Sequence, residues 1–420
     1  SGDPGAGSNA GDTFTGGTEM MVFVGSYSGA AYTIVNAGQD DTFGGNVTAA
    51  GNADGNGFGV FKYSPPTGFL ALCSANLPVS DDIDPAQTDD DYPSKQFNAV
   101  LYTGNGSSNA ISGLGFKPDL VWGKSRSASQ SHRLYDSSRG GSSMLFSDTT
   151  AAAQTGSVFM TSFDTDGFTY SSSGSNANDN TVTYVAWCWK ANGGTTATND
   201  EGSLDSTVQA NTKAGFSIVE TPNFTGSCTL GHGLTKAPEF VIHKLTASGN
   251  NWNVWHTSLS GAGYIIRLNT TAAETTGSHF NSTAPTADVF SLGASLAGSG
   301  AGICYLWHSV EGYSKFGTYV GNYNTDGTFI YTGFRPRMLF VKRSDAVNSW
   351  FVWDTERTTF NKMNSYLYWD LSNGEETGYA IDVLSNGFKL RGQNNATNNS
   401  GGTFIYGAWG DVPFKYNNTF

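Results

Sequence analysis

Charge is scarce in this chain: only 14% of its 420 residues are Asp, Glu, Lys or Arg, against roughly 25% in an average soluble protein. Proline (12) and cysteine (4) are also few. Disorder requires high charge and few aromatics, collagen requires abundant proline with glycine at every third position, and a disulfide scaffold requires far more cysteine. No apolar run approaches the roughly eighteen residues of a membrane helix, and helical periodicity over ten or more residues is absent. What the chain does have is glycine (54) and aromatic residues (13%), in a background of Ser, Thr and Asn. That composition predicts an all-β protein rich in turns.

The net charge of −13 lacks any Lys/Arg cluster, so neither nucleic acid nor an anionic membrane is an expected partner. Cys188 and Cys304 lie inside aromatic runs and read as small buried hydrophobes. The first nineteen residues are a Gly/Ser/Asp/Thr stretch without the basic start and apolar centre of a signal peptide. They read as a processed or trimmed N-terminus.

The most informative feature is self-similarity. Pro118, Pro238 and Pro336 each precede a short apolar run, and a lysine follows six residues later: Lys124, Lys244 and Lys342. Fourteen residues after each proline a second run begins, at His132, Trp252 and Trp350. Two β-type runs joined by turn residues read as a hairpin. Each copy opens on an aromatic strand at Phe97, Phe216 or Phe316 and closes on one ending in Trp189, Trp307 or Trp409. Asp-Gly and Asn-Gly turns precede Phe168 and Phe388, and the middle copy has Val289-Phe290 there. Apolar alternation predicts strands with one face inward and one face outward.

The expected architecture is therefore three tandem β-sandwich or jelly-roll-like units of about 100 residues. The boundaries read as 1–78, a Gly-rich arm with a short irregular β segment; 79–94, an acidic linker; 95–195, the first unit; 196–212, a flexible or draped linker; 213–314, the second unit; and 315–420, the third. Strands are expected at 21–24 and 32–35.

No phosphate loop, nucleophile elbow or zinc spacing occurs, and the six histidines are scattered. The linker acids Asp81, Asp82, Asp84, Asp89, Asp90 and Asp91 suit either a solvated linker or calcium, but they lack the EF-hand glycine and closing Glu. Asp136 with Arg139 and Asp354 with Arg357 read as structural ion pairs, and the middle copy has His256 and Leu259 instead. Tyr264, Tyr313, Tyr323 and Tyr366 stand outside the repeated positions and are the candidates for exposed rings that meet a ligand or receptor. No catalytic residue, cofactor or metal site is expected.

Several spaced motifs resemble the repeats of virion appendage proteins of tailed bacteriophages, especially phages of marine bacteria. They include Gly113-Leu114-Gly115-Phe116-Lys117-Pro118-Asp119-Leu120-Val121-Trp122, Asp136-Ser137-Ser138-Arg139-Gly140, and Tyr184-Val185-Ala186-Trp187-Cys188-Trp189-Lys190. Gly312-Tyr313-Ser314-Lys315-Phe316-Gly317, Tyr331-Thr332-Gly333-Phe334-Arg335-Pro336 and Leu384-Ser385-Asn386-Gly387-Phe388-Lys389 belong to the same resemblance. Residues 61–73 resemble the exit of a SPRY-like, lectin-type sandwich that precedes such repeats. This chain departs in having some sixty residues upstream in place of a full domain. The resemblance implies a non-enzymatic virion structural protein, a tail fibre or appendage that contacts the host surface. The alternatives are a capsid decoration or head fibre, a stand-alone carbohydrate-binding module, and a glycan depolymerase. It further implies other virion proteins as partners, a host glycan or protein as ligand, and a homo-oligomer, with a trimer favoured by analogy.

Overall fold

The computed structural model describes residues 37–43, 45–73, 76, 93–155, 159–171 and 176–410. The expected strands at 21–24 and 32–35 and the acidic residues 81–91 lie outside the described residues. The chain divides into two compact units, Ser1–Ile83 and Asp84–Phe420.

In the first unit no extended strand forms among the described residues; one bridge joins Asn52 to Phe61. Carboxylates organise the loops instead. Asp54 accepts from the backbone N–H groups of Asn56 and Phe58 (both 2.9 Å) and Ala71 (2.7 Å). Burial raises its pKa, but the donors from Ala71, Phe58 and Asn76 outweigh it and hold the carboxyl at about 2.

The second unit is all-β. Its first segment contains β1 (Phe97–Thr103), β2 (Asn109–Ser112), β3 (Leu120–Ser125), β4 (Arg133–Asp136), β5 (Met160–Asp164), β6 (Gly167–Tyr170) and β7 (Thr183–Trp189). They form a sheet of order β1-β7-β3-β4 and a smaller sheet of order β2-β6-β5. Next come β8 (Ala197–Asn199), β9 (Ser206–Asn211), β10 (Phe216–Thr221), β11 (Cys228–Gly231), β12 (Phe240–Leu245), β13 (Asn253–His256), β14 (Tyr264–Arg267), β15 (Thr275–Thr276), β16 (Val289–Leu292) and β17 (Gly302–Trp307). Here the large sheet runs β15-β14-β13-β12-β17-β10-β9-β8, and β11 pairs with β16. The last segment holds β18 (Ser314–Val320), β19 (Phe329–Tyr331), β20 (Pro336–Arg343), β21 (Trp350–Asp354), β22 (Met363–Tyr368), β23 (Glu376–Leu384), β24 (Gly387–Leu390) and β25 (Thr403–Gly410), in the order β18-β25-β20-β21-β22-β23-β24-β19.

One pairing scheme therefore occurs three times: the opening strand pairs with the closing strand, which pairs with the strand after the anchor proline, which pairs with its hairpin partner. Strands β2, β11 and β19 pair in turn with β6, β16 and β24, which carry buried Phe168, Phe290 and Phe388.

The expectation of one face outward fails for the large sheets. In β3, Leu120 and Trp122 face a central core while Val121 packs against the first segment's own second sheet. In β12, Phe240 and Ile242 face the centre and Val241 faces outward into a second core. A strand covered on both sides reads as a continuous apolar run. The central core takes side chains from all three segments, and at its middle the closing tryptophans meet edge to face. Ring centroids lie 5.9 Å apart for Trp189–Trp307, 5.3 Å for Trp189–Trp409 and 6.0 Å for Trp307–Trp409. That geometry sets the positive rim of one ring on the negative face of the next.

The stretch 196–212 is not a free connector. It holds β8 and β9, and β9 adds to the second sheet alongside β10. Val208 buries its side chain in the second core, which holds the stretch down despite its loop-like Gly/Thr/Asn composition.

Candidate functional site

Several residues with chemical potential lie where the three segments meet and are engaged in cross-segment bonds. The buried lysines show the pattern. Lys124 Nζ donates to the carbonyls of Gln130 (2.8 Å) in its own hairpin and Ser372 (3.0 Å) in the third segment. Lys244 Nζ reaches its own Ser248 and the first segment's Thr150, both at 3.3 Å. Lys342 Nζ reaches its own Asn348 (2.6 Å) and the second segment's Thr271 (3.1 Å). Burial lowers each of these amines to a pKa of about 8.

The same circulation appears at the residue fourteen after each proline. Trp252 Nε1 donates to Phe146 O (2.8 Å), Trp350 Nε1 donates to Arg267 O (3.0 Å), and His132 Nε2 contacts Tyr368 O (2.7 Å). Backbone bonds repeat it once more. Ala153 N donates to Thr246 O (2.9 Å), Glu274 N to Ser344 O (2.8 Å) and Glu375 N to Arg126 O (2.7 Å). Each segment thus grips one neighbour by equivalent atoms, and the third closes back on the first.

Both Asp-x-x-Arg pairs lie in these junctions. Arg139 Nε meets Asp136 Oδ2 at 2.7 Å, and Arg357 Nε meets Asp354 Oδ2 at 2.6 Å. Each carboxylate also accepts from a neighbouring segment: Asp136 from Tyr305 Oη (2.7 Å) and Asp354 from Trp187 Nε1 (2.9 Å). Burial tends to lower the pKa of Arg139, and the charge of Asp136 outweighs it, so the guanidinium stays well above its ordinary value.

The middle copy makes the corresponding contact with reversed polarity. Trp187 and Tyr305 lie two residues before their closing tryptophans, where the third segment has Gly407. A Cβ there would stand 2.4 Å from a ring carbon of Phe340, so no side-chain donor fits. The available partner is the backbone carbonyl of Tyr406, and His256 Nε2 meets it at 3.2 Å. His256 Nδ1 accepts from Ser258 N (3.0 Å), so the proton resides on Nε2 and donates. Burial lowers the His256 pKa to about 4, which keeps the ring neutral. An acceptor carboxylate has been exchanged for a donor imidazole because the opposite strand offers an acceptor. No spacing argument finds this, since it depends on Gly407, about 150 residues further along the chain.

The four tyrosines do not form one surface. Tyr313 and Tyr366 are buried, 4% and 3% exposed, so neither is a ligand-facing ring. Tyr313 belongs to the central core, and Tyr366 packs on Phe351 and Trp353. Tyr264 is half-buried against the central core, and Tyr323 is 43% exposed. The exposed aromatic rings of the third segment that sequence reading missed are Phe329, Tyr331 and Phe360. Phe329 and Tyr331 alternate with buried Ile330 on an edge strand, a period-two signal that three residues are too few to display.

Among the described residues no three His, Cys, Asp or Glu side chains gather to hold a metal ion, and no helix is long and apolar enough to cross a membrane. All six histidines are buried, and the four cysteines are free.

Residues 92–413 match the model of a family described as a domain of unknown function, DUF7483, and the chain belongs to that family. No curated protein and no solved structure matches the chain.

Proposed function

We propose that residues 97–410 are three tandem copies of one β-sandwich, jelly-roll-like unit, and that the chain is a non-enzymatic structural protein of a bacteriophage particle. In this reading it is a tail fibre or appendage module that meets the host surface. The observation that carries the structural part is the repeated lock. Lys124, Lys244 and Lys342, the ion pairs at Asp136 and Asp354, and His256 all hold one segment to the next. Groups so committed are unavailable for turnover, and they suit a rigid module. The link to phage particles rests on the motif resemblance. Particles purified from a culture of the source, analysed by peptide mass spectrometry, test it. The reading expects peptides of this chain at stoichiometric abundance in the particle fraction. Their absence from the particles, with the protein present in the cells, contradicts it.

A further inference from the structure

Strands β2, β11 and β19 occupy equivalent places in the three segments, but their outer edges differ. Ile111, Leu230 and Ile330 sit opposite Phe168, Phe290 and Phe388 and are all buried. One residue earlier the copies have Ala110, Thr229 and Phe329, and one residue later Ser112, Gly231 and Tyr331. Phe329 is 42% exposed and Tyr331 64% exposed. The fold does not require an aromatic ring at either place, since two copies form the same pairing with small residues there.

The backbone pattern of β19 fixes which way its groups point. Thr328 O accepts from Leu390 N (3.1 Å) and Thr332 N donates to Asn386 O (3.0 Å), so residues 328, 330 and 332 turn their backbone groups toward β24. By strand alternation the N–H and C=O of Phe329 and Tyr331 face the other way. β19 ends the sheet on that side, and among the described residues no backbone group bonds to them there. A free strand edge is a template for another strand.

In the second segment the same edge is filled from within the chain. Leu204 forms a parallel bridge with Leu230, and Leu204 N donates to Thr229 O (3.3 Å). Ser203 N donates to Thr229 Oγ1 (2.8 Å), and Ser206 Oγ donates to Gly231 O (2.7 Å). Thr229 and Gly231 are the counterparts of Phe329 and Tyr331. The third segment has no such stretch available. Residues 308–313 alone separate β17 from β18, and they are held in a turn by Val310 N donating to Ser314 O (3.1 Å).

The stretch that fills the β11 edge is acidic, with Asp200, Glu201 and Asp205 around Leu204. In the third segment the adjoining strand carries cations. Lys389 and Arg391 stand where the second segment has Ser291 and Gly293 and the first has Thr169 and Ser171. Lys362 lines one surface opening with Arg391 and Asp382. Asp326 and Asp382 pair with Lys389 and Arg391, so three cations face two carboxylates in a chain of net charge −13. A stretch of the same chain needs no attraction to reach its edge, whereas a separate chain associates faster with it. We infer that the free edge of β19 is the docking site for an extended acidic segment of a partner protein, added as a parallel strand. One apolar side chain of that segment lies inward beside Ile330, as Leu204 lies beside Leu230, and its outward residues meet Phe329 and Tyr331. The inference does not rest on the particle reading.

The probe is a peptide of this chain's own residues 200–207. Fluorine NMR of the full chain labelled with fluorotyrosine reads its binding, with the Tyr331 signal assigned from Tyr331→Phe. The peptide is expected to shift that signal saturably, and a peptide of the same residues in scrambled order is expected to bind at least about tenfold more weakly. Phe329→Pro removes an outward N–H and leaves the bonds of Ile330 to β24, a change that edge strands tolerate. It is expected to abolish the shift without lowering the melting temperature. Lys389→Gln tests the site even where the proline variant perturbs folding: it should weaken binding a few-fold at low salt and have little effect at high salt. The inference is overturned by no shift with the peptide, by equal shifts from the scrambled peptide, or by a shift that both variants leave unchanged. A shift produced by lactose or maltose and not by the peptide overturns it in favour of a glycan on the rings. Dimerisation in light scattering that Phe329→Pro abolishes overturns it in favour of a second copy. None of these results bears on whether the chain is found in particles.

Discussion

Lys124 Nζ and the carbonyl of Ser372 are 3.0 Å apart and 248 residues apart in sequence. The bond ties the first segment to the third, and its equivalents at Lys244 and Lys342 tie the other two junctions. A buried ammonium is expensive to desolvate, and here it is retained because it satisfies carbonyls of two segments at once.

Lys124→Met tests that balance. The variant removes a buried charge but leaves the carbonyls of Ser125, Gln130 and Ser372 without their donor. We expect a loss of about 1–3 kcal/mol, from orphaned buried acceptors. Urea denaturation measures it, and an unchanged or raised midpoint refutes the role of the lysine as a lock.

His256→Asp would give the middle segment the residue found in the other two. It would also place a carboxylate against the carbonyl of Tyr406, with Gly407 beside it offering no side-chain donor. The variant should lose about 3–5 kcal/mol, as expected for an unpaired buried charge. A variant as stable as the parent in thermal denaturation counts against the reversed-polarity account.

Asp354→Ala removes the nearer carboxylate from the fully buried Arg357, which keeps Glu375 at 3.3 Å, and leaves Trp187 Nε1 without its acceptor. The expected cost is about 1–3 kcal/mol, from the orphaned buried donors. Trp187 fluorescence offers a local reading of the same event, because its indole N–H loses its acceptor. A denaturation midpoint within error of the parent sinks the prediction.

Acid should weaken the fold before alkali does. Burial depresses the pKa of all six histidines, His243 to about 3 and His256 to about 4. The unfolded chain takes up these protons near pH 6.5 and the folded chain does not. Stability is therefore complete above pH 6.5 and falls as pH drops toward the folded values. At pH 5 each histidine that stays neutral costs about 2 kcal/mol. Melting temperatures recorded from pH 7.5 down to 4.5 check this; a flat profile contradicts it.

The recurring strand pairing was legible because fixed spacings from Pro118, Pro238 and Pro336 mark the strands that pair. The Asp–Arg pairs were legible because both partners sit three residues apart on one turn. Closure of the three segments was not, since it depends on bonds such as Lys124–Ser372 whose partner is an unremarkable carbonyl in a loop. Burial of Tyr313 and Tyr366 was hidden by their Gly, Ser and Asn neighbours, which suggest surface. The β9 strand was hidden in the same way, because its only large apolar residue is Val208.

The central claim is that the three segments stabilise one another as a closed set. Native-state hydrogen exchange, followed by mass spectrometry as denaturant rises, tests it most directly. Peptides covering β3, β12 and β20 should share one opening free energy and lose protection together. Three separate thresholds, one for each segment, would mean that the segments fold independently and that the cross-segment bonds do not couple them.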